Sequence, residues 1–200
     1  MKDTKEKILK GSFKLFLKYN YEKVTVPELE KATGISRGGI FHYTGNKKNL
    51  FIEVVNKYLF ELHDVQQKFS VPEECTLQEF MDIYIKGIDD TAKYVHSITE
   101  IKETELTNHY YHFVLQASQY HPDFLKFEER LMINELALWT HIIKKAQENG
   151  EVKKELDITA VASQFYYYYY GISYITSYFG ILNTEELRKQ YLFLYELIKA

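Results

Sequence analysis

The chain is short of the residues that break helices and cross-link loops, with 3 prolines, 9 glycines and 1 cysteine among 200 residues. A lone thiol, Cys75, excludes an internal disulfide framework and a cysteine-rich zinc site. No apolar run reaches the roughly 18 residues that a membrane span requires, and the opening MKDTKEKILKGSF lacks the hydrophobic stretch of a signal peptide. A cytoplasmic location is the expectation. Phosphate-binding loops and dinucleotide fingerprints are also missing. His109 and His112 stand three apart, but nowhere does a carboxylate precede a histidine as Glu-x-x-His, which argues against a di-iron helical bundle. No catalytic residue, metal or cofactor is therefore expected, and the chain is not read as an enzyme.

What is present is ordinary for a soluble globular protein, 46% hydrophobic and 26% charged residues. The polar gaps between apolar positions are short, and few breakers interrupt them. The chain reads as all-α, with no strands. Its net charge of −3 hides a division. Residues 1–50 hold 11 Lys/Arg against 5 Asp/Glu, whereas the remaining 150 hold 14 against 23. A basic end on an acidic body suits a chain of which one end meets a polyanion.

Apolar spacing predicts a first helix over about 4–19, with Ile8, Leu9, Phe13, Leu15, Phe16 and Leu17 inward. Gly11 within it costs about 1 kcal/mol against alanine, which points to close packing with a neighbour. TVPE at 25–28 is a capping box with proline in the first turn. It opens a short helix with Val26, Leu29 and Ala32 inward, ended by Gly34. Ser36 caps a third short helix, RGGIFHY, which Gly45 stops. Asn46 then caps a fourth, carrying Leu50, Val54, Tyr58 and Leu62 unbroken to about Phe69. Thr76 with Glu79 caps a fifth over 76–92. Residues 93–120 have weak periodicity and many polar residues, so a broken or mobile segment is expected there. Further helices follow over 122–149, from Asp157 to about Gly180, and from Asn183 to the C-terminus.

Two short helices around the Gly34 turn have helix-turn-helix spacing, in which the second helix enters the major groove and the first crosses the backbone. Two glycines in the first turn of so short a helix destabilise it. They make sense where backbone must approach a partner closely, and an N-terminal turn with free amides suits phosphate.

These residues resemble the DNA-binding domain of the tetracycline-repressor (TetR/AcrR) family of bacterial transcriptional regulators. The resemblance covers roughly 4–51. It is carried by the Ile-Leu and Leu-Phe pairs of the first helix, Tyr21, Thr25, Leu29 with Ala32, and Gly34-Ile35-Ser36. Phe41, Tyr43 and Lys47 complete it. It implies a DNA-binding domain over 1–48 and a ligand-binding and dimerisation domain over 49–200. The implied protein is a homodimer on an inverted-repeat operator of double-stranded DNA, a repressor released by a small-molecule effector. The alternative is a DNA-tethered module whose C-terminal domain recognises a protein. Carried over by position, Thr25 caps and touches phosphate with Ser36 beside it, and Arg37 and Gly39 face bases. Gly38 permits close approach, Phe41, His42 and Tyr43 lie on or beside the DNA face, and Lys47 contacts phosphate. Of these, Arg37 alone can make a bidentate bond to guanine, worth about 1–3 kcal/mol of discrimination. Gly39, Phe41 and Thr44 depart from the family's commoner threonine, tyrosine and aromatic residues.

In the C-terminal part, His63 lies late in the helix that the resemblance places between DNA domain and pocket. The 122–149 helix carries apolar residues on two sides, Met132, Leu136, Trp139 and Ile143 on one of them, as a helix buried all round does. Asn134 and Glu135 interrupt it, as polar groups meeting solvent or placed in an apolar pocket. Five consecutive tyrosines, 166–170, cannot share one partner, because successive helical residues turn by about 100°. Helical spacing separates Tyr167, Tyr170, Tyr174 and Tyr178 from Tyr166, Tyr169 and Ser173. The resemblance implies a dimer interface on the last two long helices with a glycine midway, as Gly171 is, so one side is expected to meet a twin subunit together with Leu194 and Leu197. The other is expected to reach the core and the pocket wall. His63, Asn134, Glu135, Trp139, Tyr166 and Tyr169 are thus the candidate ligand residues.

Overall fold

The computed structural model describes residues 2–180 and 182–200, without side chains for Lys2, Gln66 and Gln67. Ten α-helices carry the chain, with one isolated antiparallel bridge, Val152 to Lys199, and no strand among the described residues. They are α1 Lys2–Lys18, α2 Val26–Thr33, α3 Arg37–Thr44, α4 Lys47–Val55, α5 Val65–Lys68, α6 Leu77–Thr99, α7 Glu103–Tyr120, α8 Phe124–Glu148, α9 Ile158–Ser177 and α10 Thr184–Ile198.

The N-terminal helices start and stop where side chains settle their open ends. Glu28 reaches back to accept from the Thr25 amide at 2.7 Å, and Asn46 accepts from the Asn49 amide at 2.9 Å. Gly34 ends α2 at φ +65°, a conformation that favours glycine. Gly11 permits α1 and α2 to touch, since a Cβ there would lie 3.0 Å from the Ala32 carbonyl oxygen and from Thr33 Cγ2. Ile8, Phe13, Phe16 and Leu17 of α1 are wholly buried, while Leu15 is half-buried. On α2, Ala32 is exposed and Thr33 is buried in its stead, its hydroxyl donating to the Leu29 carbonyl at 2.7 Å. The period of an eight-residue helix is too short to separate adjacent positions 32 and 33 by pattern alone.

The expected single helix from Lys47 to Phe69 is broken. After α4 the ladder widens into a π turn over Asn56–Phe60, then a turn, then the four residues of α5. Tyr58 lies in the π turn, its ring stacked on Phe13 of α1 at 4.2 Å. α6 is longer than expected, running on to Thr99, and residues 103–120 form a regular helix. Two of the polar residues that weakened the periodicity of α7 bond to α1, while most of the others are exposed. Gln116 Nε2 donates to the Phe16 carbonyl at 3.0 Å and His109 Nδ1 to that of Leu17 at 3.1 Å. α7 thereby satisfies the open C-terminal carbonyls of α1.

α8 packs chiefly against α9, and α10 against α6. Trp139 is fully buried at their junction, stacked on Phe165 at 4.8 Å and edge-on to Phe80 and Tyr191. Truncating a residue so enclosed costs about 3–5 kcal/mol. Contrary to the two-sided pattern, α8 is not buried all round, because Leu125, Met132 and Ile133 are exposed.

Candidate nucleic-acid interface and ligand cavity

α2 and α3 meet across the Gly34 turn, and α3 rests on α4 through buried Ile40 and Thr44. Thr44 is buried with no aromatic ring at its position, its hydroxyl donating within α3 to the Ile40 carbonyl at 3.2 Å. With those two residues inward, Ser36, Arg37, Gly38 and His42 are exposed and Gly39, Phe41 and Tyr43 half-buried. A Cβ on Gly38 would meet nothing within 4 Å, so packing does not demand a glycine there. At Gly39 it would come within 2.7 Å of Ile35 Cγ2, so part of that glycine's reason is internal.

The amides of α3 are less free than expected. Arg37 N donates to Glu30 Oε1 at 2.6 Å, and Gly39 N to Ser36 Oγ at 3.4 Å. A carboxylate therefore already occupies part of the helix N-terminus. The Arg37 guanidinium has no ion pair within 4 Å among the described residues. Gly34 to Gly38 also spells Gly-x-Ser-x-Gly, the string of a hydrolase nucleophile turn. Ser36 does not sit in such a turn, for a helix precedes it in place of a strand and its oxygen caps Gly39.

Thr25 is exposed at the start of α2, and its hydroxyl donates to Glu28 Oε2 at 2.8 Å. These bonds hold the Glu28 carboxyl below the usual carboxylate range. Lys47 Nζ lies 4.5 Å from the centre of the Tyr21 ring. Burial lowers its ammonium from the ordinary lysine value, against the pull of Glu22 and Glu28. Tyr21 is itself braced edge-on by Phe51 and by the tilted ring of Tyr120 of α7, and its amide donates to Gln116 Oε1.

Further along, a cavity of about 90 Å³ opens among α5, α6, α7 and α9. Its apolar wall includes Ile88, Val95, Leu106 and Leu182, and Tyr110, Tyr169 and Ser173 also line it. Only His63 and Tyr169 of the six candidate ligand residues line it. Asn134 is exposed and lines a separate groove of about 290 Å³ with His63, Phe60 and Arg130. Trp139 belongs to the core, and Tyr166 is buried against Tyr170 at 4.6 Å between ring centres. Glu135 is buried but away from the cavity wall, accepting from Tyr170 at 2.7 Å and Tyr84 at 3.4 Å. Burial raises its carboxyl above the usual range, opposed by Lys68 and the two phenols. Lys68 and Tyr110 line the cavity and went unnoticed in sequence. Both follow from the broken fourth helix and the regular α7, which periodicity did not show.

Tyr110 links the cavity to the π turn after α4, whose Tyr58 stacks on Phe13 of α1. Its hydroxyl donates to the Tyr58 carbonyl at 3.0 Å and so must accept from His63 Nε2 at 3.0 Å. Burial and nearby Lys68 hold His63 well below the ordinary histidine value, so the ring is neutral.

The tyrosine run divides as its spacing required, with one exception. Tyr166 and Tyr169 are buried, and Tyr167, Tyr174 and Tyr178 are exposed. Tyr170 turns inward, half-buried on Glu135, because a 2.7 Å bond to a buried carboxylate outweighs exposure of its ring. A Cβ on Gly171 would meet nothing within 4 Å. On α10, Leu197 is exposed and Leu194 half-buried, while the exposed Phe193 was missed.

A short helix pair joined by a glycine turn, braced by a third helix and set beside a helical body, is the architecture of helix-turn-helix proteins. Residues 8–54, under a quarter of the chain, match the family model described as bacterial regulatory proteins, tetR family. The HTH-type transcriptional repressor AcnR of Corynebacterium glutamicum is 44% identical over 55 residues, 28% of this chain and 29% of that protein. The match to such relatives thus spans under a third of their length. A TetR-family transcriptional regulator from Cytophaga hutchinsonii has the same fold, with TM-score 0.66 over 99% of this chain and 96% of that one at 16% identity. PfmR of Thermus thermophilus, a TetR family transcriptional regulator, aligns with TM-score 0.61 over 94% and 97% at 17% identity. No helix among the described residues is long and apolar enough to cross a membrane.

Proposed function

We propose that the chain is a transcriptional repressor that binds operator DNA as a homodimer and is released by a small molecule. Residues 1–48 form the DNA-binding domain and 49–200 the effector and dimer domain. In this reading α3 enters the major groove with Arg37 on a base edge. Gly38 lets the backbone come close, His42 and Tyr43 flank it, and Thr25 and Lys47 meet phosphate. The observation that carries the reading is the exposed Arg37 without an ion pair on a helix whose opposite side is locked to α4. The effector sits in the 90 Å³ cavity. It shifts the population toward a spacing of the two α3 helices that no longer fits one turn of DNA. Moving such an equilibrium from 1:99 to 99:1 takes about 5.5 kcal/mol of differential affinity.

Selection of bound duplexes from a random pool tests this. An inverted repeat with half-site centres about one helical turn apart is expected. A pool that stays random after repeated rounds refutes it.

A further inference from the structure

Lys68 is the single charged side chain among the residues lining the cavity. Close packing holds it there, since Gly87 of α6 has no Cβ to collide with Phe69, whose ring would lie 2.8 Å away, or with the Lys68 carbonyl at 3.1 Å. Among the described residues no carboxylate lies within 4 Å of Lys68 Nζ, which rests 5.2 Å from the Phe69 ring centre. Glu135 is the nearby acid, but two phenols already occupy its oxygens. An ammonium with no carboxylate partner among the described residues is costly in a mostly apolar cavity, and an anion that enters offsets that cost.

The geometry points to a small amphipathic carboxylate as the cavity's ligand, its head group on Lys68 and its hydrocarbon body against Ile88, Val95 and Leu106. This rests on the effector reading above and narrows it to a chemical class. Burial lowers the Lys68 ammonium from its ordinary value and Glu135 raises it, so a second carboxylate would reinforce the charged form. The volume sets the size. An apolar cavity of about 150 Å³ takes benzene, so 90 Å³ suits a short aliphatic acid and is too small for a monocyclic one. Ser173 lines the same space, and its hydroxyl can donate to the carboxylate's second oxygen.

The test is calorimetric titration of the full chain with butyrate and hexanoate against butyramide and hexanamide. At least one acid is expected to bind roughly tenfold or more tighter than its amide, as a charge-assisted hydrogen bond gives. Lys68→Met should abolish that preference and Lys68→Arg should keep it. The double variant Lys68→Met with Glu135→Gln removes both buried charges, so a loss of binding there is not a loss of fold; circular dichroism confirms the fold of each. Amides binding as well as acids, an acid preference that survives Lys68→Met, or no acid binding at millimolar concentration would each overturn the assignment. Operator binding is measured on the same samples. An acid that binds through Lys68 without weakening DNA binding keeps the ligand class and removes its role as effector.

Discussion

Tyr110→Phe removes one oxygen and unties the cavity from the π turn after α4. The hydroxyl makes two bonds of 3.0 Å, donating to the Tyr58 carbonyl and accepting from His63 Nε2. Phenylalanine fills the same volume, so no cavity forms and the ring's contact with Phe113 at 6.4 Å persists. The cost is that of two polar groups left without a partner, about 1–3 kcal/mol each. Because the lost hydroxyl was itself desolvated, the net effect is about 2–4 kcal/mol. Urea unfolding with an unchanged m-value should read this as a lower midpoint. Tyr167→Phe, on an exposed tyrosine, is the control and should change stability by less than about 0.5 kcal/mol. In a double-mutant cycle with His63→Leu the two losses should be non-additive by about 1 kcal/mol or more, because the groups share one bond. Additive losses, or a Tyr110→Phe variant as stable as the parent, would refute the link.

Two further outcomes follow from the same geometry. His63 and His121 are both held below the ordinary histidine value, chiefly by burial. The unfolded chain therefore binds more protons as pH falls below 6.5, and stability present above that pH is lost on acidification, by up to about 1.4 kcal/mol per pH unit for each ring. His63→Gln keeps a donor for Tyr110, so its stability curve between about pH 6.5 and 5 should be flatter; an equal slope would show that His63 is charged in the fold. Tyr174→Glu with Tyr178→Glu alters two residues that are 52% and 65% exposed, and sedimentation should show monomers that remain folded. Tyr166→Glu with Tyr169→Glu alters buried rings and should unfold the chain. A stable dimer carrying the first pair would move the interface elsewhere.

Much of the N-terminal region was legible because its signals are local. Thr25 with Glu28, Gly34, Ser36, Gly45 and Asn46 each act within four residues, and the structure places a cap or stop at every one. The C-terminal pocket was not legible in the same way. Its wall comes from four helices distant in sequence, and the residue that lends it charge, Lys68, follows a π turn that apolar periodicity cannot distinguish from continued α-helix. Glu135 and Tyr170 show the same limit. Spacing set Tyr170 on the face of Tyr167 and Tyr174 and left Glu135 between solvent and pocket, and the bond between them turned Tyr170 inward. α7 was misread for a related reason: two of its polar residues, Gln116 and His109, looked solvent-bound but grip the carbonyls of Phe16 and Leu17.

The central claim is that α3 reads DNA, and paired substitutions at two cationic positions, one on α3 and one at the start of α4, test it most directly. Binding of Arg37→Ala and Lys47→Ala to a selected operator and to random duplex would be measured by fluorescence anisotropy across a salt series. Arg37→Ala should lose about 1–3 kcal/mol on the operator and little on random DNA, relaxing specificity at one position of each half-site. Lys47→Ala should weaken binding to both duplexes alike and reduce the salt slope by about one per subunit. An Arg37→Ala variant with intact specificity, together with a Lys47→Ala variant of unchanged salt slope, would contradict the account.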